Sequence, residues 1–124
     1  MKVCYNLTRD VMARLKINVY QELNNIKETN EFLAIKMDDV IKYIDLENNK
    51  MIVDMKNNII TRENSDYLFV LDFNKNNIDI TLKHSKKCFS KLIEVLLIKK
   101  MKKSYLVRYS LIDDDIINEY FVKF

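Results

Sequence analysis

The segment YLFVLDFNKNNIDITLK, Tyr67–Lys83, carries the strongest fold signal in this chain. Its first part is a run of aromatic, leucine and valine residues, typical of a central, well-buried strand. Its last part alternates Ile78, Ile80 and Leu82 with polar residues, the pattern of a half-buried strand. Asparagines at 74–77 separate the two parts and predict a turn, because Asn tolerates the positive φ of tight turns. The segment therefore predicts a β-hairpin.

The same pattern extends over the rest of the chain. The sequence of 124 residues contains no glycine and no proline, so Asn and Asp are predicted to form its turns. Such turns are predicted at Asn24-Asn25, Asn48-Asn49, Asn57-Asn58 and Asp113-Asp114-Asp115. The apolar residues that alternate between the turns are Leu15, Ile17, Val19; Leu33, Ile35, Met37; Ile41, Tyr43; Met51, Val53, Met55; Tyr105, Val107, Tyr109, Leu111; and Ile116, Tyr120, Val122, Phe124. About eight short strands are expected, forming a mainly β single domain over residues 1–124, an antiparallel barrel or sandwich.

Two segments fit more than one secondary structure. Cys88–Met101 alternates as a strand and contains β-branched residues, but its apolar residues also match an amphipathic helix. An α+β fold with a helix around 87–101 is therefore the alternative to an all-β fold. Leu7–Ala13 is also ambiguous, since Thr8 could cap a short N-terminal helix whose first turn contains Asp10.

Composition restricts the class of protein. A hydrophobic fraction of 48% and a charged fraction of 31% suit one packed core with a wet surface. The net charge of +3 is well below that of a dedicated nucleic-acid binder. The N-terminus carries charges where a signal peptide needs an apolar stretch, and no apolar run could span a bilayer. A cytoplasmic protein from an AT-rich genome, without membrane attachment, is expected.

No motif predicts catalysis, a metal or a cofactor. The only histidine, His84, lies among lysines and is interpreted as an exposed turn residue. Asp113-Asp114-Asp115 is interpreted as a solvated turn, since consecutive aspartates point in different directions. Cys4 and Cys88 are too few for a disulfide framework. The expectation is a non-enzymatic protein with no cofactor.

The C-terminal two-thirds of the chain resembles a known family. The matching stretches are NNIITREN (Asn57–Asn64), LFVLDF (Leu68–Phe73), IDITLK (Ile78–Lys83), YLVRYSL (Tyr105–Leu111) and NEYFVKF (Asn118–Phe124). In order and spacing they are similar to the DUF1934, or YwiB-like, proteins of low-GC bacteria, although the glycines of that family are absent. The resemblance implies an eight-stranded, calycin-like (lipocalin-like) β-barrel in which Cys88–Met101 is a strand. It implies no activity, cofactor or catalytic residue.

Two sets of candidate site residues follow from these patterns. If the barrel lumen is open, a small apolar ligand or amphiphile is expected to contact Phe69, Leu71, Phe73, Ile80, Val107 and Tyr109. A nucleic acid or another anionic partner is the alternative, and its candidate residues are Lys83, His84, Lys86, Lys87, Lys91, Lys99, Lys100, Lys102 and Lys103. A third hypothesis is a small viral or phage-type antagonist that binds a host protein through an exposed strand edge. The oligomeric state and the identity of the partner stay open.

Overall fold

The structure is a computed structural model, which describes residues 12–113 and 115–124. Its strands are β1 (Ala13–Leu23), β2 (Ile26–Met37), β3 (Val40–Ile44), β4 (Lys50–Asp54), β5 (Ile59–Glu63), β6 (Tyr67–Asp72), β7 (Asn77–Leu82), β8 (Lys87–Met101), β9 (Ser104–Leu111) and β10 (Ile117–Lys123). Each strand pairs antiparallel with its neighbours in sequence, and β1 pairs with β10 to close a barrel. The prediction of an antiparallel barrel is confirmed. The predicted number of about eight strands is wrong, because every alternating segment between turns forms its own strand and the barrel has ten.

Asn and Asp form the turns, as the missing glycines predict. Asn24 and Asn25 have φ of 51° and 67° and make up the whole loop between β1 and β2. Two consecutive positive φ values are the requirement of the type I′ hairpin turn, whose twist matches that of the flanking strands. The other residues with positive φ, all in turns, are Asp38, Asn48, Asn58, Asn76 and Lys86. Only Lys86 among them lacks a short polar side chain, so the turn between β7 and β8 is the one that composition does not explain.

The interior of the barrel is packed at one end. We call this end the floor; it has the turns β2–β3, β4–β5, β6–β7 and β8–β9. The core residues with 0% exposure are Ile17, Ile41, Val53, Tyr105, Val107 and Val122. The opposite end, which we call the mouth, has the turns at 24–25, 45–49, 64–66, 83–86 and 112–116. Packed side chains therefore fill the middle of the barrel near the floor.

Two strands differ from the expected burial. In β2 the inward residues include Phe32 and Ala34, so the predicted inward set Leu33, Ile35 and Met37 faces outward, with Leu33 78% exposed. A shift of one residue exchanges the two faces of a strand, and β2 is apolar enough on both faces to mislead. In β6 every residue is only half-buried. The predicted well-buried central strand is wrong in this respect, since the inward face of β6 borders a cavity described below.

The ambiguous segment around 87–101 is a strand, and the helix alternative is wrong. β8 is hydrogen-bonded to β7 through Lys87–Leu92 and to β9 through Ile93–Met101. A β-bulge between Val95 and Leu97 resets its alternation, so Leu96 and Leu97 are both exposed. That irregularity is what made the apolar residues resemble a helical stripe. The other ambiguous segment, Leu7–Ala13, for which a short helix was one alternative, lies outside the described residues as far as position 11, and Ala13 begins β1.

Candidate functional site

A cavity of about 330 Å³ lies inside the barrel toward the mouth, and we call it cavity 1. Its walls come from strands on both sides of the barrel: β1, β4 to β10 and the residues just after them. The apolar part of the lining includes Met51, Ile60, Phe69, Leu71, Ile78 and Ile80. The polar part includes Gln21, Arg62, Asn118 and Tyr120. A concave, mostly apolar site with a few convergent polar groups is typical of small-molecule binding.

The structure brings together most of the predicted ligand residues. Phe69, Leu71, Phe73, Ile80 and Tyr109 all line cavity 1. The rings of Phe73 and Tyr109 pack against each other with centroids 5.4 Å apart. Val107 does not line the cavity, because it is one of the fully buried floor residues. Alternation placed Val107 on the correct face of β9, but position along the barrel axis decides whether an inward residue is packed or borders a cavity.

A second cavity of about 410 Å³ adjoins the first, and we call it cavity 2. The residues common to both linings are Gln21, Leu23, Asn24 and Arg62. Cavity 2 lies where the barrel is least closed: β2 pairs with β3 only through Ile35–Met37, so within the described chain the stretch 26–34 pairs with β1 alone. The turn at 45–49 faces this open edge across cavity 2. The gap is a lateral route from solvent toward cavity 1.

Arg62 projects from β5 into the space that the two cavities share. It is aligned with the buried Met51 on β4 and with Phe69 on β6, which places its side chain inside the barrel. Among the described residues, no carboxylate forms an ion pair with Arg62, and no hydrogen bond to it is present. Arg108, by contrast, points outward and binds Glu119 at 2.9 Å. Inspection of the sequence missed Arg62, although an arginine inside a strand of alternating apolar residues was a usable signal.

Buried tyrosines stand beside Arg62. The hydroxyls of Tyr43 and Tyr120 are 2.9 Å apart in the barrel interior. Burial raises the pKa of Tyr43 to about 12, while the Tyr120 hydroxyl and the Arg62 charge act in the opposite direction. Burial also raises the pKa of Tyr109 to about 12, again with Arg62 opposing. The pKa of Tyr120 rises further for the same main reason. These phenols are therefore neutral hydrogen-bonding groups at physiological pH.

The tyrosines predict a loss of stability at high pH. Unfolded tyrosine ionises near pH 10, whereas Tyr43 and Tyr109 stay protonated in the folded state up to about pH 12. Their contribution is complete below pH 10 and is lost as pH rises toward 12, by up to about 1.4 kcal/mol per pH unit for each tyrosine. Urea unfolding at pH 9, 10 and 11, together with phenolate absorbance, measures both effects. Ionisation of every tyrosine near pH 10 in the folded protein would contradict this expectation.

Asn49 holds the rim of the mouth together. Its side chain is 1% exposed. Its Nδ2 donates to Asp45 Oδ2 at 3.0 Å, and its Oδ1 accepts from Asn64 Nδ2 at 2.8 Å and from the Tyr67 hydroxyl at 3.3 Å. One side chain thus joins the turn at 45–49, which borders cavity 2, to the turn at 64–66. The sequence predicted a turn here but not this link.

The predicted basic residues do not form one surface. Lys83, His84, Lys86, Lys87 and Lys91 lie at the mouth, whereas Lys99, Lys100, Lys102 and Lys103 lie at the floor end of β8 and its following turn. Up to about 40 Å of strand separates Lys87 from Lys99, at about 3.3 Å per residue. Lys83 binds Glu63 at 2.7 Å, and this hydrogen bond lowers the pKa of Glu63. Of the whole set, Lys91 lines cavity 1.

Other reactive groups are dispersed. His84 lies 3.0 Å from Asp66, and both side chains are largely exposed. Cys88 is an exposed free thiol, and Cys4 lies outside the described residues. Over residues 12–113 and 115–124, no group of three or more His, Cys, Asp or Glu side chains is arranged to bind a metal ion. Asp114 is not described, so the aspartate turn at 113–115 is seen only in part. The described chain contains no helix that could cross a membrane.

The fold and the cavities define a class of structure: a closed, ten-stranded, up-and-down antiparallel barrel with a mostly apolar lumen that opens at one end. In comparisons with known proteins, the chain matches no family model, no curated protein and no solved structure.

Proposed function

We propose that this protein is a non-enzymatic binding protein that holds a small apolar or amphipathic molecule in cavity 1. The observation that carries the proposal is the uneven filling of the barrel, with a packed floor below an open, mostly apolar cavity. A barrel that served only as a scaffold would fill its lumen with side chains, as small barrels can. Here Phe69, Leu71 and Ile80 line a cavity. The calycin-like resemblance of the sequence is consistent with such a role.

Filling the cavity tests this proposal. Leu71 points into cavity 1 from β6, and the next residue back, Val70, points out of the barrel. Leu71→Trp places a large ring in the cavity, while Val70→Trp places the same ring on the outer face of the same strand. We expect Leu71→Trp to weaken binding of the neutral fluorophore N-phenyl-1-naphthylamine by at least about tenfold, and Val70→Trp to leave binding unchanged. Fluorescence titration measures both, and native mass spectrometry detects any ligand that co-purifies.

The comparison with Val70→Trp also defines the result that would contradict the proposal. If wild-type protein binds the fluorophore no better than Leu71→Trp does, or if Val70→Trp weakens binding equally, the lumen is not the binding site. Circular dichroism of each variant confirms that the barrel is intact. The nucleic-acid alternative receives less support from the structure, because its two lysine blocks occupy opposite ends of the barrel.

A further inference from the structure

Arg62 has no ion-pair partner among the described residues, and this indicates the charge of the ligand. A half-buried guanidinium without a carboxylate partner is costly, because burial removes water without supplying a replacement. Arg62 lies in this situation between two cavities: Glu119 in the lining of cavity 1 is bound to Arg108, and none of the acids that line cavity 2 is within ion-pair distance of Arg62 in the described chain. A guanidinium offers five N–H donors in a planar fork that matches a carboxylate. This arrangement is typical of a binding site for an anionic group.

A hydroxyl next to Arg62 offers a further donor. Tyr43 and Tyr120 share one hydrogen bond, and each hydroxyl carries one hydrogen. Only one of the two hydrogens serves that bond, and Gln21 is a further hydrogen-bonding neighbour of the Tyr43 hydroxyl. Tyr120 lines cavity 1, and burial keeps its hydroxyl protonated. A carboxylate on Arg62 would offer this pair of hydroxyls a further acceptor.

The charges around the two cavities orient such a ligand. Cavity 1 has Arg62 and Lys91 in its lining, and its one acidic residue, Glu119, is bound to Arg108. Cavity 2 is lined by Arg62 together with Glu28, Asp45 and Glu47. Cavity 1 therefore attracts an anion and supplies the apolar wall, whereas cavity 2 repels an anion that moves beyond Arg62. The head should lie at Arg62 and the tail in cavity 1.

The volume limits the length of the tail. Cavity 1 measures about 330 Å³, which is room for roughly ten groups the size of a water molecule at about 30 Å³ each. A methylene group is similar in size. A single chain of about ten carbons fits this volume.

We propose that the ligand of cavity 1 is a single-chain amphiphile with a carboxylate head, of about ten carbons, whose carboxylate binds Arg62. This inference rests on the proposed function, since it assigns the ligand of the same cavity.

The test compares ligands that differ only in the head. Decanoate, decyl phosphate and decanol are titrated against wild-type protein carrying N-phenyl-1-naphthylamine. We expect decanoate to displace the fluorophore at a concentration about tenfold to hundredfold lower than decanol, because a charge-assisted bidentate contact is worth that much. Arg62→Gln should remove the preference for decanoate over decanol. Arg14→Gln, the same change at an exposed residue on β1, should keep it.

Each outcome separates this inference from the proposed function. Equal displacement by decanoate and decanol in wild-type protein would overturn the assigned head and leave the apolar site standing. If decyl phosphate displaces the fluorophore at a lower concentration than decanoate does, the assignment of a carboxylate head is wrong. A failure of wild-type protein to bind the fluorophore or any decyl compound would overturn the proposed function itself.

Stability of the empty protein gives a second readout. If the role of Arg62 is to bind the ligand, the ligand-free Arg62→Gln variant should unfold at the same urea concentration as wild-type protein or at a higher one. The substitution removes an uncompensated charge from the barrel interior. If Arg62 were a structural residue, the substitution would lower the midpoint, and this result would count against the inference. Added decanoate should raise the midpoint of wild-type protein and of Arg14→Gln more than decanol does, and should raise that of Arg62→Gln no more than decanol does.

Discussion

Ile41→Ala should destabilise the protein by about 2–5 kcal/mol, because it removes a fully buried side chain from the packed floor. Ile41 is 0% exposed and lies on β3 opposite Val53, which is also fully buried. Above the floor the barrel already contains a cavity, so packing at the floor has to stabilise both ends. Ile41→Ala would add a void at the floor. The surrounding strands can fill that void only by moving, and they are hydrogen-bonded on both sides.

The same strand supplies the control. Ile44 is the same residue type, three positions further along β3, and is 51% exposed. Ile44→Ala should change the free energy of unfolding by less than about 1 kcal/mol, the range of exposed strand positions. Urea unfolding of the two variants, with the slope compared to wild type, measures the difference. Similar losses at Ile41 and Ile44 would mean that the floor is not the core of the fold.

Asn49→Ala is the second substitution with a large expected effect, a loss of about 2–4 kcal/mol. The buried amide makes hydrogen bonds to Asp45, Asn64 and Tyr67. Alanine leaves these groups without their partner in a place that water reaches poorly, which costs more than an exposed hydrogen bond. The backbone bond from Asn49 N to Asp45 Oδ1, at 2.8 Å, remains in the variant. The loss therefore reports the side-chain link between the two turns of the mouth.

Asn48 provides the comparison. It precedes Asn49 in the same turn, is exposed, and has a φ of 66°. Asn48→Gly keeps access to that φ and should change stability by less than about 0.5 kcal/mol. Urea unfolding and hydrogen exchange at 45–49 distinguish the two variants. If Asn49→Ala cost no more than Asn48→Gly, the amide would have no role in fixing the rim of cavity 2.

The two substitutions separate the parts of the barrel that maintain the fold from those that shape the site. Floor residues such as Ile41 and Val107 are fully packed. Residues nearer the mouth leave space open, and within the part of the chain that the structure describes Arg62 has no ion-pair partner. Departures from good packing and from charge pairing are concentrated where a ligand would enter, as expected when a protein gives up stability locally for binding.

The sequence alone predicted a mainly β antiparallel fold, although it left Cys88–Met101 open between a strand and a helix. Alternation of period two defined the strands, and Asn and Asp defined the turns, because in a chain without glycine they best tolerate positive φ. Both are local properties of the backbone and of neighbouring side chains. The same patterns also placed Phe69, Leu71 and Ile80 on the inward face, since alternation along one strand suffices for that.

Only the tertiary structure decided where the site lies. Closure of β1 on β10 and the short pairing of β2 with β3 set which inward residues pack and which border a cavity, so Val107 is core and Leu71 is cavity wall. The same closure brought Arg62 beside Tyr43 and Tyr120. These residues are distant in sequence, and no local pattern records a distance between strands. Burial and charge pairing depend on all the strands at once, which is why the sequence predicted the strands and turns and the folded chain decided the candidate site.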